Sequence, residues 1–293
     1  MMFEGFAVED VRVPGDVTIR LRHGGKGPPL LLLHGNPLTH VMWHKIAPRL
    51  AEHYTVVASD LRGYGDSSKP AGGGDHDAYS FRTMANDQVA VMKYFGFERW
   101  LVAGHDRGGR VAHRMAADFP QHVEKVAFLD IVPTLHMLSN IPLKWAVDSY
   151  HWFFMAQPHD YPEKMIEAYG FERYIRKKLD KPGVGLSAFT PEAMAEYIRC
   201  CNAANIHAVC EDYRAAVSID LVHDRADADA GRRIGMPMLV LWGEKSHVNR
   251  SYKPIEAWSA RATDVRGKVL PCGHYPAEQV PDETYRELRA FFA

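Results

Sequence analysis

The sequence predicts an α/β architecture: a mainly parallel sheet of the eight-stranded type, flanked by helices, with a helical cap inserted between two strands. Three observations predict it. Short continuous apolar runs (PPLLLL, TVVAS, WLVAG, VAFLD, MPMLVLW) alternate with helical periodicity, as strands buried on both faces of a parallel sheet require. Most of these runs stop at a turn rich in glycine, asparagine or aspartate. From about 135 to 222 such runs are missing, and helix formers and aromatics take over.

Element by element, FAVEDVRV and VTIRLRHGG alternate with the two-residue period of half-buried strands. PPLLLLHGNP and TVVASDLRGYGDS are buried strands followed by turns. SFRTMANDQVAVMKYFGF has helical spacing and stops at Gly96. WLVAGHDRGG is again strand and turn, and RVAHRMAADFP is a helix that ends before Pro120. VEKVAFLDIVP, MPMLVLWGEKS and GKVLPCGHYP supply further strands. DETYRELRAFFA closes the chain as a helix, with Asp282 as its expected N-cap. This divides the chain into a core, 1–134 with 223–293, and a cap, 135–222. Ligand chemistry is expected at the carboxyl ends of the strands, where these turns fall.

The 293 residues, 46% of them hydrophobic, suffice for a large core. A formal net charge of -1 gives no reason to expect nucleic acid or an anionic membrane as a partner. The four cysteines, Cys200, Cys201, Cys210 and Cys272, form no C-x-x-C pair and read as reduced thiols. The start MMFEGFAVEDVRV lacks the pattern of a secretory signal, and the apolar stretches are too short to cross a bilayer. A soluble cytoplasmic protein is expected.

The most informative stretch is Gly104-His105-Asp106-Arg107-Gly108, between a predicted strand and a predicted helix. A glycine-flanked turn there holds its central residue in a strained conformation and exposes it above the sheet as a nucleophile. Serine would give acyl transfer. Aspartate instead attacks a saturated carbon, forming an alkyl ester that water must hydrolyse. The base for that second step is expected late in the chain, which selects His274 in LPCGHYP from sixteen histidines. Two carboxylates are candidates to orient it: Asp130, ending VAFLD, and Glu244, following VLWG.

At this point the sequence resembles the fluoroacetate (haloacetate) dehalogenases of the α/β-hydrolase fold. The resemblance runs over essentially the whole chain and is carried by LLLLHG, PLTHVMWHKIAP, DLRGYGDSSKP, GHDRGGRVAHRMAADFP, LDIVPT, YHWFF and the late GH. It implies Asp106 as nucleophile, His274 as base and Asp130, rather than Glu244, as the acid. It implies that Arg107 and Arg110 hold the substrate carboxylate. Charge-assisted hydrogen bonds from two guanidinium groups suit that task independently, and they offset repulsion between the substrate and Asp106. It further implies that His151, Trp152 and Tyr213 receive the leaving halide, and it suggests a homodimer. The family usually carries phenylalanine where Asn36 stands; asparagine there offers a donor to the halide, beside a backbone N–H suited to an oxyanion.

The implied reaction is hydrolysis of fluoroacetate or chloroacetate to glycolate and halide, with a small haloacid and water as the partners. An epoxide hydrolase is the nearest alternative, drawing on Tyr150 and Tyr213 as acids; a haloalkane dehalogenase and a non-catalytic binding protein of the same fold are others. Neutral substrates fit a pair of arginines poorly, because an unpartnered buried cation is costly. No metal or cofactor is expected. His34, His40 and His44 follow a turn without a metal-binding arrangement, and GGKGPP and AGGGD lack a P-loop context.

Overall fold

The computed structural model describes residues 2–181 and 184–293. At its centre lies β3 (Pro29–Leu33), with no solvent exposure from Leu30 to Leu33, between β4 (Thr55–Ser59) and β5 (Trp100–His105), both parallel to it. Leu31 is in register with Val57 on one side and Val102 on the other, so three apolar runs stack into one core layer. The sheet continues through β6 (Val123–Leu129), β7 (Met238–Gly243) and β8 (Val265–Leu270), all parallel. At the other edge β1 (Ala7–Val13) and β2 (Val17–Gly24) form an antiparallel hairpin, and β2 pairs antiparallel with β4. The order is β1-β2-β4-β3-β5-β6-β7-β8.

The helix Phe81–Tyr94 begins where predicted: the Ser80 hydroxyl accepts the Thr83 N–H at 3.1 Å as its N-cap. The last helix differs from expectation. It runs Pro281–Phe292, with Pro281 in the first turn, where its missing N–H costs nothing. Asp282 is therefore not the cap. It lies within the first turn, where its charge suits the helix dipole, and pairs with Arg49 at 2.6 Å.

Between β6 and β7 the described residues form helices and no strand. The last of these helices, Ile219–Asp229, runs straight through the expected boundary at 222. Its polar sequence gives no composition change at that point. All four cysteines are free and buried. No helix among the described residues is long and apolar enough to cross a membrane.

Candidate active site

The carboxyl ends of β3, β5, β6 and β8 open onto one place. Asp106 follows β5 with φ 48 and ψ -113, a conformation rare for any residue with a Cβ. Its flanking glycines make the turn feasible. A Cβ at Gly104 would overlap the Gly108 carbonyl, and one at Gly108 would overlap the His34 carbonyl. The helix Arg107–Asp118 starts immediately, and the Asp106 carbonyl accepts the Arg110 N–H at 3.2 Å. The carboxylate projects into the site, where Oδ1 accepts the backbone N–H of Asn36 at 3.0 Å.

His274 comes from the loop after β8. Its Nε2 lies 3.7 Å from Asp106 Oδ2, and its Nδ1 lies 2.6 Å from Asp130 Oδ2. The short contact makes Nδ1 the donor to Asp130 and turns Nε2 toward Asp106. Asp130 is itself fixed: its Oδ1 accepts the Gly243 N–H at 3.0 Å, and its N–H donates to the Leu241 carbonyl at 2.7 Å. His105 anchors the loop from below, with Nε2 2.7 Å from the His274 carbonyl. Glu244, the other candidate acid, is exposed on its loop, and its backbone N–H pairs with Leu270. Burial pushes the Asp106 carboxyl up, but His274, with help from His105 and Arg107, holds it well below the usual carboxylate range. Asp106 is thus held in its ionised form, the state that nucleophilic attack requires.

The two arginines differ. Arg107 is fully buried and forks onto Asp212: Nε donates to Oδ2 at 2.8 Å, and Nη2 meets Oδ1 and the Asp212 carbonyl. The Tyr64 hydroxyl also donates to Asp212, at 2.7 Å. Only Nη1 of Arg107 lacks a partner among the described residues. Most of the Arg107 fork is thus taken by a carboxylate of the chain, which leaves Nη1 as its donor for a ligand. Arg110 has no such partner. Its Nη1 donates to the Thr134 hydroxyl at 2.8 Å and the Val132 carbonyl at 3.3 Å, its guanidinium lies 4.8 Å from the Trp152 ring, and Nε is unpartnered. Burial, and the charge of Arg107, push Arg110 down to about 10.

The cap closes over these groups. His151 and Trp152 lie on the helix His151–Met155, and Tyr213 on the helix Ala203–Ala216. The Tyr213 ring meets Trp152 edge-on at 5.1 Å and His151 at 5.7 Å, and it also lies 4.3 Å from the Arg107 guanidinium. The Asn36 side chain donates to the Tyr213 hydroxyl at 3.3 Å. Asn36 thus touches the nucleophile through its backbone and the aromatic cluster through its side chain. Tyr150 is exposed.

Sequence reasoning missed Asp212, His247, Lys178 and Lys181. His247 stacks obliquely on His274 at 5.0 Å between ring centres. The reason Asp212 matters appears only in the packing. Residues 208–216 are buried without interruption, and the charges carried there by Glu211, Asp212 and Arg214 must each find a partner.

The model of the alpha/beta hydrolase fold family matches residues 28–165. A fluoroacetate dehalogenase from Burkholderia sp is 45% identical over 293 residues, spanning 100% of this chain and 95% of that protein. The chain belongs to the α/β-hydrolase family. This hydrolase is also similar to a soluble epoxide hydrolase from Corynebacterium sp. (strain C12), 34% identical over 274 residues, or 92% of this chain and 91% of that one. Its fold matches the crystal structure of an α/β hydrolase from Nostoc sp PCC 7120 with a TM-score of 0.97 and 52% identity, covering 100% and 99% of the two chains.

Proposed function

We propose that this hydrolase is a haloacetate dehalogenase, converting fluoroacetate or chloroacetate and water into glycolate and halide. The observation that carries the reading is Arg110: a buried guanidinium beside Asp106 that feels the charges of Asp106 and Asp224 but forms no ion pair with a carboxylate among the described residues. A haloacetate brings the missing charge one bond from the carbon under attack. Unlike charges ~4 Å apart gain roughly 4 kcal/mol at an intermediate dielectric. The free Nη1 of Arg107 adds a second donor.

In this reading Asp106 attacks the carbon bearing the halogen. The carbon–halogen pair leaves with the halide, and a carboxymethyl ester forms on the enzyme. Indole, imidazole and phenol donors of Trp152, His151 and Tyr213 surround the departing anion. His274, oriented by Asp130, takes a proton from water, and the hydroxide adds to the ester carbonyl. The Asn36 N–H, already on Oδ1, stabilises the oxyanion. Collapse expels glycolate, whose oxygen regains the proton from His274, and Asp106 is restored.

Core 1–134 with 223–293 and cap 135–222 are the proposed division of labour, with the nucleophile, base and acid in the first and the halide donors in the second. A homodimer in the cytoplasm completes the reading, supported by the family resemblance. Halide release from fluoro-, chloro- and bromoacetate tests it; diol formation from styrene oxide without halide release would establish the epoxide alternative instead. The exposure of Tyr150 disfavours that alternative, since one of its two supposed acids is outside the site.

A further inference from the structure

The cap carries two cations for which the mechanism above has no use. Lys178 lies in the last turn of the helix Phe171–Leu179. Lysines there commonly cap the terminal carbonyls. This one does not: its Nζ is buried with no hydrogen-bond partner among the described residues, 5.9 Å from the centre of the Tyr213 ring. Lys181 follows just beyond the helix, its Nζ 5.2 Å from the ring of Tyr275, the neighbour of His274. It lines a cavity of about 170 Å³ together with Lys245, His247, His274, Arg250 and Asp148, whose carboxylate pairs with Arg250 at 3.1 Å. One lysine therefore stands on the inner side, 5.9 Å from the Tyr213 ring, and the other on the side of this cavity.

Neither lysine forms an ion pair with a described carboxylate. Each feels the charge of Asp106, and Lys181 also that of Asp130, but those carboxylates are occupied by Asn36 and His274. Burial pushes both amines down, Lys178 well below the usual lysine range with the charge of Lys181 adding to it, so an anion bound beside them would favour their charged forms.

We propose that Lys178 and Lys181 form a second anion-binding site, an antechamber that holds a small monovalent anion between the cavity beside His274 and the nucleophile. The inference rests on the reading of an anionic substrate. Incoming haloacetate and departing halide share the required chemistry, a compact single negative charge. Steering by fixed cations raises the local concentration of such ions and speeds their capture.

The test uses calorimetric titration of the full chain with sodium bromide and, separately, sodium acetate, at constant ionic strength. Wild type is expected to bind two equivalents of bromide. Lys178→Met/Lys181→Met is expected to weaken one of them at least about tenfold, while Lys178→Arg/Lys181→Arg retains both. A loss with bromide alone assigns the site to the halide, and with acetate alone to the substrate carboxylate. In turnover, KM for chloroacetate should rise roughly tenfold in the Met variant with kcat changed much less. Unchanged binding of both ions in a Met variant that melts like wild type overturns the proposal. Two binding equivalents without turnover of any haloacetate would instead overturn the proposed substrate and leave the anion site standing.

Discussion

The strand ends and the cap hold their polar groups in opposite ways. At the strand ends, Asp106, Asp130 and His274 are pinned by backbone: the Asn36 and Gly243 N–H groups on the carboxylates, and the His274 carbonyl on His105. In the cap, His151, Trp152, Tyr213 and Lys178 are placed by ring contacts and burial. Backbone pinning gives fixed angles, which bond-making chemistry needs. Side-chain packing gives a lining of adjustable shape and charge, which sets what enters. The two arginines cross this divide: both start from the elbow helix, but Arg107 is neutralised by the cap's Asp212, while Arg110 is not.

The largest expected effect lies on the strand-end side. His274→Gln should cut turnover about 10³-fold or more, because the ester forms but is not hydrolysed. Intact-mass measurement after incubation with chloroacetate should show one carboxymethyl group on Asp106. Loss of turnover without any adduct would mean that His274 also governs the first step.

Next comes the contact between the regions. Asp212→Asn leaves Arg107 buried without its counter-charge and should lower the unfolding free energy by about 3 kcal/mol in a denaturant titration. A loss below ~1 kcal/mol would show that the cap yields enough to hydrate Arg107.

The smallest effect belongs to the cap alone. Burial pushes the Lys181 ammonium down to about 8, against the pull of Asp106 and Asp130. The groups around it are those carboxylates, Lys178, His105, His151, His247 and His274, with Asp148, Lys245 and Arg250 on the same cavity. The charge is present below that value and is lost as pH rises through it. Accordingly kcat/KM for a haloacetate should decline by up to about tenfold between about pH 7 and pH 9, and Lys181→Met should flatten the decline. Superimposable pH profiles would place the titration elsewhere.

The sequence was most legible where local rules suffice. PLLLL and TVVAS announce doubly buried strands, and GHDRGG between strand and helix marks the elbow before any coordinate is known. His274 was picked by its place late in the chain, whereas Asp130, 144 residues away, was preferred over Glu244 only through the family resemblance. What escaped depends on contacts that no local pattern encodes. Arg107 meets Asp212 from 105 residues away, so its neutralisation was invisible beside the elbow. Lys178, in the run RKKLDK, reads as part of a solvated helix end, and only the packing of the cap turns it inward. The helix through residue 222 and the displaced cap at Asp282 are boundary effects, which polar sequence leaves loosely specified.

The central claim is that Arg110, which forms no ion pair among the described residues, selects an anionic substrate. The most direct measurement compares kcat/KM for chloroacetate and for neutral chloroacetamide in wild type and Arg110→Leu. The account predicts a fall of about 10²–10³-fold on chloroacetate and roughly threefold or less on chloroacetamide. An equal loss on both substrates would contradict it, because Arg110 would then support the site without reading the charge.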